Sequence, residues 1–156
     1  MIVNLVPPFS DWSQEDRELL TNGCGPEYQR GSWFTWIPIP DLAFREACEE
    51  HDREYRIGGI ADMPNGDSSA RELADRNFLQ RMLNIAYRQH WLWRWLHVQA
   101  ANTFHADVSS DLGRGSFVYR ERGAIVSIEM LRDEEMSRRA EGEIPASVCW
   151  RCRSSA

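Results

Sequence analysis

The stretch Cys48-Glu-Glu-His51-Asp52-Arg-Glu-Tyr55 places an imidazole, a carboxylate and a phenol within about two turns of one predicted helix. Adjacent residues of a helix point about a quarter turn apart, so Asp52 can hold a metal ion while His51 handles a proton beside it. A neutral imidazole accepts protons at physiological pH when another group orients its far nitrogen. This stretch is therefore the candidate reaction centre.

Two antiparallel helices are predicted around this centre. The first is expected to start at a capping Asp41 and to stop at Gly58-Gly59. The second opens with the capping box Ser69-Ala-Arg-Glu72, after which apolar residues recur at helical spacing. A polar loop joins the two helices.

Asp75 is the predicted partner of the imidazole. It lies early on the second helix within an apolar run, so its carboxylate is expected to face the first helix. A buried carboxylate needs polar partners, which His51 and Tyr55 would supply. The alternative is an Asp75 that faces solvent among neighbouring arginines.

The sequence before and after this helix pair predicts shorter elements. Residues 10–20 are typical of a short helix, and the aromatic, proline-broken stretch 28–40 is typical of an extended loop. Helical pattern resumes over residues 91–104, either continuous with the second helix or broken near His90.

The last third carries no motif with an evident chemistry. Residues 117–119 favour a short strand, and residues 125–140 favour an amphipathic helix. We therefore divide the chain into a helical domain, residues 1–107, and a C-terminal extension, residues 108–156.

Composition narrows the class of protein. Of the 156 residues, 42% are apolar and 27% are charged, which argues against a transmembrane protein, a collagen-like repeat or a disordered acidic tail. The formal net charge is -6 and the arginines form no basic stripe, so nucleic acid is not an expected partner. Neither a signal peptide nor the roughly 18 apolar residues of a membrane span is found, so we expect a soluble chain without a transmembrane span.

Two early cysteines could fix a turn beside the reaction centre. Cys48 lies one turn before His51, and Cys24 lies in the turn NGCGPE. In an oxidising compartment, a bridge between them would pin this turn against the first helix. Backbone carbonyls of the turn could then join Asp52 in an oxygen shell, which suits Ca²⁺ better than Mg²⁺.

Three separated elements of the chain resemble the secreted phospholipase A2 superfamily. CEEHDREY is similar to its C-x-x-H-D-x-x-Y signature, Cys24-Gly25 resembles its calcium loop, and Ala74-Asp75-x-x-Phe78 resembles its second active-site helix. The resemblance spans residues 22–86. It implies a mainly α fold with a phospholipase A2-like core of two antiparallel helices and a calcium loop, followed by a C-terminal extension with a short strand and a helix.

The resemblance also implies an activity and roles. Calcium-dependent hydrolysis of the sn-2 acyl ester of glycerophospholipids at a membrane surface is expected. His51 resembles the general base, Asp75 the carboxylate that orients it, and Tyr55 a phenol bonded to that carboxylate. Asp52 resembles the calcium carboxylate. The remaining calcium ligands would be the backbone carbonyls of Gly23, Gly25 and Glu27.

The turn departs from the pattern of the animal enzymes. Pro26, Glu27 and Tyr28 follow Cys24-Gly25 where those enzymes continue with a glycine-rich segment, which is closer to bacterial and viral members. We expect an extracellular or virion-associated viral or phage protein that acts on membranes, with a cytoplasmic location as the alternative. The alternative functions are a catalytically silent binding or structural protein of the same fold and an unrelated helical interaction protein.

Aromatic residues form two further groups. Trp33, Phe34, Trp36 and Ile37 lie where family members place residues that enter the lipid interface, and capping the core is the alternative. The alternation of tryptophan with leucine and arginine over residues 91–96 makes a helix there apolar almost all round. We expect core or dimer packing for these tryptophans in preference to membrane contact.

Overall fold

The computed structural model of the protein describes residues 2–21 and 41–141. Within these ranges the chain is mainly helical and carries one two-stranded parallel sheet, so the predicted fold class is confirmed at this level. The elements in chain order are β1 (Val3–Asn4), a 3-10 helix (Phe9–Asp11), α1 (Gln14–Leu20), α2 (Asp41–Ile57), α3 (Ser69–Arg88), α4 (Trp91–Val108), α5 (Asp111–Arg114), β2 (Ile125–Val126) and α6 (Ile128–Ala140).

The pair α2 and α3 is antiparallel, as the sequence predicts. Tyr55 contacts Asp75, whereas Glu50, more than a turn earlier on α2, pairs with Arg81, more than a turn later on α3. The helices and α4 enclose a common apolar core, whose buried members are Phe44, Ala47, Cys48, Phe78, Met82, Ala100 and Ala101.

The helix termini follow local chemistry with two corrections, the first of which is that Asp41 is the first residue of α2 and not its cap. After α2, Gly58 takes a positive φ of 71°, which glycine adopts at little cost and which ends a helix. The cap of α3 is Ser68, whose hydroxyl accepts from the Ala70 amide, and the predicted cap Ser69 is wrong. The Ser69 hydroxyl is instead bonded to Asp62 at 2.5 Å.

A break at His90 separates α3 from α4, since the His90 ring caps the new helix at Leu92. The first turns of α4 lie outside the core: Trp91, Trp93 and Trp95 are 70%, 56% and 65% exposed. Of the predicted core or dimer packing, the core alternative is therefore wrong for these tryptophans, and dimer packing stays a prediction. His97 is the first buried residue of α4, so the helix packs against the described core through its later turns.

The C-terminal third differs from the sequence expectation in two places. Residues 117–119 contribute one bridge, between Tyr119 and Gly59, and no strand of their own. Residues 125 and 126 form β2, which pairs in parallel with β1, and α6 starts only at Ile128, after the cap Ser127. The predicted helix 125–140 thus begins three residues too early, since its first residues pair with a distant strand.

Side chains beyond residue 107 are joined to earlier helices. Arg56 of α2 donates to Glu135 of α6 at 2.7 Å, and Glu135 is fully buried. Arg132 of α6 forms two hydrogen bonds with Asp16 of α1. The predicted division at residues 107 and 108 stays a prediction. None of the described helices combines the length and hydropathy of a membrane span.

Candidate active site

Residues His51 and Asp75 meet on the facing sides of α2 and α3. His51 Nε2 lies 3.0 Å from Asp75 Oδ1, and only 5% of His51 and 3% of Asp75 are exposed. The antiparallel packing of two long helices produces this contact, since it places position 51 of one opposite position 75 of the other. The alternative of a solvent-facing Asp75 is therefore wrong.

Tyr55, one turn after His51, completes the predicted set of contacts. Its hydroxyl donates to Asp75 Oδ1 at 2.6 Å and lies 3.3 Å from the carbonyl oxygen of Val108. Burial raises the pKa of Tyr55, and the hydrogen bond to Asp75 acts in the same direction. The phenol is therefore a neutral donor across the physiological range.

Two aromatic rings pack against the imidazole of His51. The His51 ring stacks on Phe78 with centroids 4.4 Å apart, and the Tyr55 ring lies 4.2 Å away on a tilted plane. An ionised Asp75 can only accept at Oδ1, which assigns the hydrogen in this contact to Nε2. Among the described residues, none is hydrogen-bonded to Nδ1 of His51. Nε2 is thus oriented by Asp75, and in the neutral imidazole with its hydrogen on Nε2 the lone pair is on Nδ1.

Sequence reasoning missed a supporting network behind Asp75. Arg71 lies with Nη1 3.5 Å from Asp75 Oδ2 and forms two hydrogen bonds, of 2.9 and 2.6 Å, with Asp67. Tyr119 donates to the same Asp67 at 2.9 Å. The spacing of four residues between Asp67, Arg71 and Asp75 was the available signal.

The charges of Asp67 and Arg71 interact strongly because both side chains are buried and hydrogen-bonded to each other. The Arg71 guanidinium holds the pKa of Asp67 well below its usual range, and burial opposes this only in part. The bonds to Asp67 in turn raise the pKa of Arg71. Arg71 is therefore a cation, and it lies beside Asp75 Oδ2.

The predicted calcium ligands are only in part within the described residues. Asp52 follows His51 on α2 and is half-buried. Gly23, Gly25 and Glu27 lie outside the described residues, as do Cys24 and the aromatic stretch 33–37. Within residues 2–21 and 41–141, no three His, Cys, Asp or Glu side chains are grouped so that they could hold a metal ion.

Cys48 is buried in the apolar core and is not a free thiol. Its pairing with Cys24 stays a prediction, because Cys24 lies outside the described residues.

The described geometry has the elements of a general base. A buried imidazole is clamped by rings, its far nitrogen is bonded to an acid, and that acid is held by a phenol and a guanidinium. Such an imidazole can take a proton from water or a hydroxyl group, while the acid stabilises the imidazolium that forms. No family model, curated protein or solved structure matches the chain.

Proposed function

We propose that this protein is a calcium-dependent phospholipase A2, a hydrolase of the sn-2 acyl ester of glycerophospholipids. The observation that carries the proposal is the 3.0 Å contact between His51 Nε2 and Asp75 Oδ1, buried between two antiparallel helices. It supports the proposal because the same two residues occupy the histidine of the C-x-x-H-D-x-x-Y stretch and the aspartate of the second helix. A fatty acid and a lysophospholipid would be the products.

In this proposal His51 is the general base. Its Nδ1 takes a proton from a water molecule while the water oxygen attacks the ester carbonyl carbon, and returns that proton to the leaving alkoxide. Asp75 compensates the positive charge that the ring gains between these two transfers. The stacking on Phe78 keeps the ring plane fixed during both, because rotation would separate Nε2 from the carboxylate.

Tyr55 and Arg71 are positioning residues. Each contacts a different oxygen of Asp75, so the carboxylate cannot turn away from His51 without losing a partner. The buried, neutral phenol donates its hydrogen bond across the pH range in which the imidazole works. Together they keep the acid in the orientation that its role requires.

The oxygen ligands proposed beside His51 suit Ca²⁺. Asp52 supplies a half-buried carboxylate at the adjacent position of α2, and the carbonyls of Gly23, Gly25 and Glu27 would supply further oxygens. When held there, Ca²⁺ would supply positive charge beside the ester oxygen, where negative charge develops. The backbone amide of Gly25 would donate a hydrogen bond to the same oxygen. We propose an extracellular or virion-associated setting, where phospholipid surfaces are the substrate.

The test is release of a labelled sn-2 fatty acid from phosphatidylcholine vesicles by the full chain. We expect release in Ca²⁺ that a chelator abolishes. His51→Asn should lower the rate by about 10³-fold or more, since the base is lost. The matched control is His97→Gln, because His97 is another buried histidine, bonded to the Trp93 carbonyl, that the proposal does not use.

Two results would contradict the proposal. One is a wild-type protein without chelator-sensitive release, and the other is a His51→Asn variant as active as the wild type. Calorimetric binding of Ca²⁺ without turnover would support a catalytically silent member of the fold in place of a hydrolase.

A further inference from the structure

The end of α3, the turn after it and the start of α4 expose an unusual run of aromatic side chains. Residues 87–95, which we call the aromatic tip, read Tyr-Arg-Gln-His-Trp-Leu-Trp-Arg-Trp. Five large side chains in this run are more than half exposed: Tyr87 58%, Trp91 70%, Leu92 59%, Trp93 56% and Trp95 65%. Contiguous apolar exposure of this kind marks an interaction site in soluble proteins.

The aromatic tip contributes little to the packed core of the described residues. The last core residue of α3 is Ala86, and the first buried residue of α4 is His97, so the intervening turn and the first turns of α4 carry little of the packing. Along α3, Arg88 lies about 20 Å from Asp75 by the rise of a helix. The tip is therefore a separate surface from the candidate active site.

The charge of this region is opposite to that of the whole chain. Residues 76–106 contain no Asp or Glu, whereas the chain has a formal net charge of -6. Arg88 and Arg94 lie within the tip, are exposed, and form no ion pair with any described residue. The aromatic tip thus combines exposed indole rings with exposed guanidinium groups.

We propose that the aromatic tip docks the protein onto the surface of an anionic lipid bilayer. Tryptophan and tyrosine concentrate at membrane interfaces, where their rings lie between headgroups and acyl chains. Arginines beside them attract acidic lipids, whose headgroups supply the negative charge that this segment lacks. The docking goes beyond the proposed hydrolysis and does not require it.

A second copy of the chain is a poorer occupant of the same surface. A two-fold interface would bring the arginines of one tip near those of its copy, and residues 76–106 offer no carboxylate to neutralise them. An anionic bilayer meets both the apolar and the cationic parts of the surface.

Sedimentation with sucrose-loaded vesicles tests the proposal. The full chain is mixed with phosphatidylcholine vesicles or with vesicles containing phosphatidylserine, in chelator so that hydrolysis does not contribute. We expect at least about tenfold stronger partitioning onto the phosphatidylserine vesicles, weakened by added salt. The triple variant W91A/W93A/W95A should lose about tenfold or more of this partitioning, and R88Q/R94Q should lose the preference for phosphatidylserine.

Matched controls change similar residues elsewhere on the surface. L5A/I125A/M136A removes three apolar side chains that are 62%, 60% and 54% exposed, and R45Q/R122Q removes two exposed arginines outside residues 76–106. Both should bind as the wild type does. Circular dichroism and melting temperature establish that each variant is folded.

Three results would overturn the proposal. These are a wild type that does not partition onto phosphatidylserine vesicles, a W91A/W93A/W95A variant that partitions as strongly as the wild type, or a wild-type dimer that this variant converts to a monomer. None of them depends on whether the protein hydrolyses phospholipid, so docking and hydrolysis can fail separately.

Discussion

Tyr55 and His51 converge on one oxygen of Asp75: the Tyr55 hydroxyl donates to Oδ1 at 2.6 Å, and His51 Nε2 lies 3.0 Å from the same atom. The second oxygen, Oδ2, faces Arg71 at 3.5 Å. One substitution can therefore remove the charge of this buried carboxylate, and another can remove a hydrogen bond that orients it.

Asp75→Asn removes the charge and keeps the shape. We expect kcat for phospholipid hydrolysis to fall by about 10²- to 10⁴-fold with KM changed by less than about threefold, because the amide no longer stabilises the imidazolium. Asp62→Asn, which changes an exposed acid bonded to Ser69, is the control and should retain wild-type kinetics. Equal kcat in the wild type and Asp75→Asn would disprove the assigned role.

Tyr55→Phe removes one of the donors and leaves the charge. The free energy of unfolding should fall by about 1–3 kcal/mol, since Asp75 loses a buried hydrogen bond. The loss of kcat should be smaller than in Asp75→Asn, because the contact with His51 remains. Tyr87→Phe, at an exposed tyrosine, should change stability by less than about 0.5 kcal/mol in urea unfolding. A larger kcat effect for Tyr55→Phe than for Asp75→Asn would contradict a purely positioning role.

The lowered pKa of Asp67 predicts that the free energy of unfolding decreases in acid. Its pKa is lowered in the folded state, chiefly by the bonds to Arg71, so the folded protein binds fewer protons than the unfolded chain. The stability it contributes is complete above its ordinary value of 3.8 and is lost as the pH falls below that value. Urea midpoints measured between pH 7 and pH 2.5 should therefore fall less steeply below pH 4 in Asp67→Asn than in the wild type.

The control for this experiment is Asp133→Asn, at an exposed carboxylate that makes no ion pair with a described residue. It should leave the wild-type curve unchanged. Parallel curves for the wild type and Asp67→Asn below pH 4 would mean that Asp67 does not contribute in this way.

Gly58 and Gly123 form a matched pair for backbone strain. Both have positive φ, 71° and 91°, but a Cβ at Gly58 would collide with the carbonyl oxygen of Val118, whereas one at Gly123 would meet nothing within 4 Å. Gly123→Ala should cost about 1 kcal/mol, the strain of the left-handed region alone. Gly58→Ala should cost at least about 2 kcal/mol more in urea unfolding. Equal costs would show that the Val118 carbonyl can shift freely.

The helix pair could be predicted from sequence because its signals are local, whereas for Asp75 local signals left a solvent-facing side chain open and the resemblance favoured the contact with His51. Spacing within α2 puts His51 and Tyr55 one turn apart, and an apolar run around Asp75 requires partners for a carboxylate. The exchange of Ser68 for Ser69 as the cap was not predictable, since adjacent serines offer the same chemistry and Asp62 decides between them.

Non-local pairing explains most of the remaining differences. Nothing near Ile125 or Val126 indicates a strand, because the partner is β1 at the other end of the described chain. Tyr119 reaches Asp67 across 52 residues, so its place in the network behind Asp75 has no local pattern. Helical periodicity placed the tryptophans of α4 on a helix correctly, but it carries no information on how far that helix extends beyond its neighbours.

The contacts between α1 and α6 have a consequence for how the chain acquires its structure. Asp16 and Arg132 are separated by 116 residues and Leu19 and Arg139 by 120, and the strand pair β1 and β2 closes a loop of similar length. Closing such long loops slows folding, because their entropy is lost before the contacts form. On the ribosome, β1 therefore stays unpaired until β2 has emerged, whereas the helix pair that carries His51 and Asp75 can already assemble.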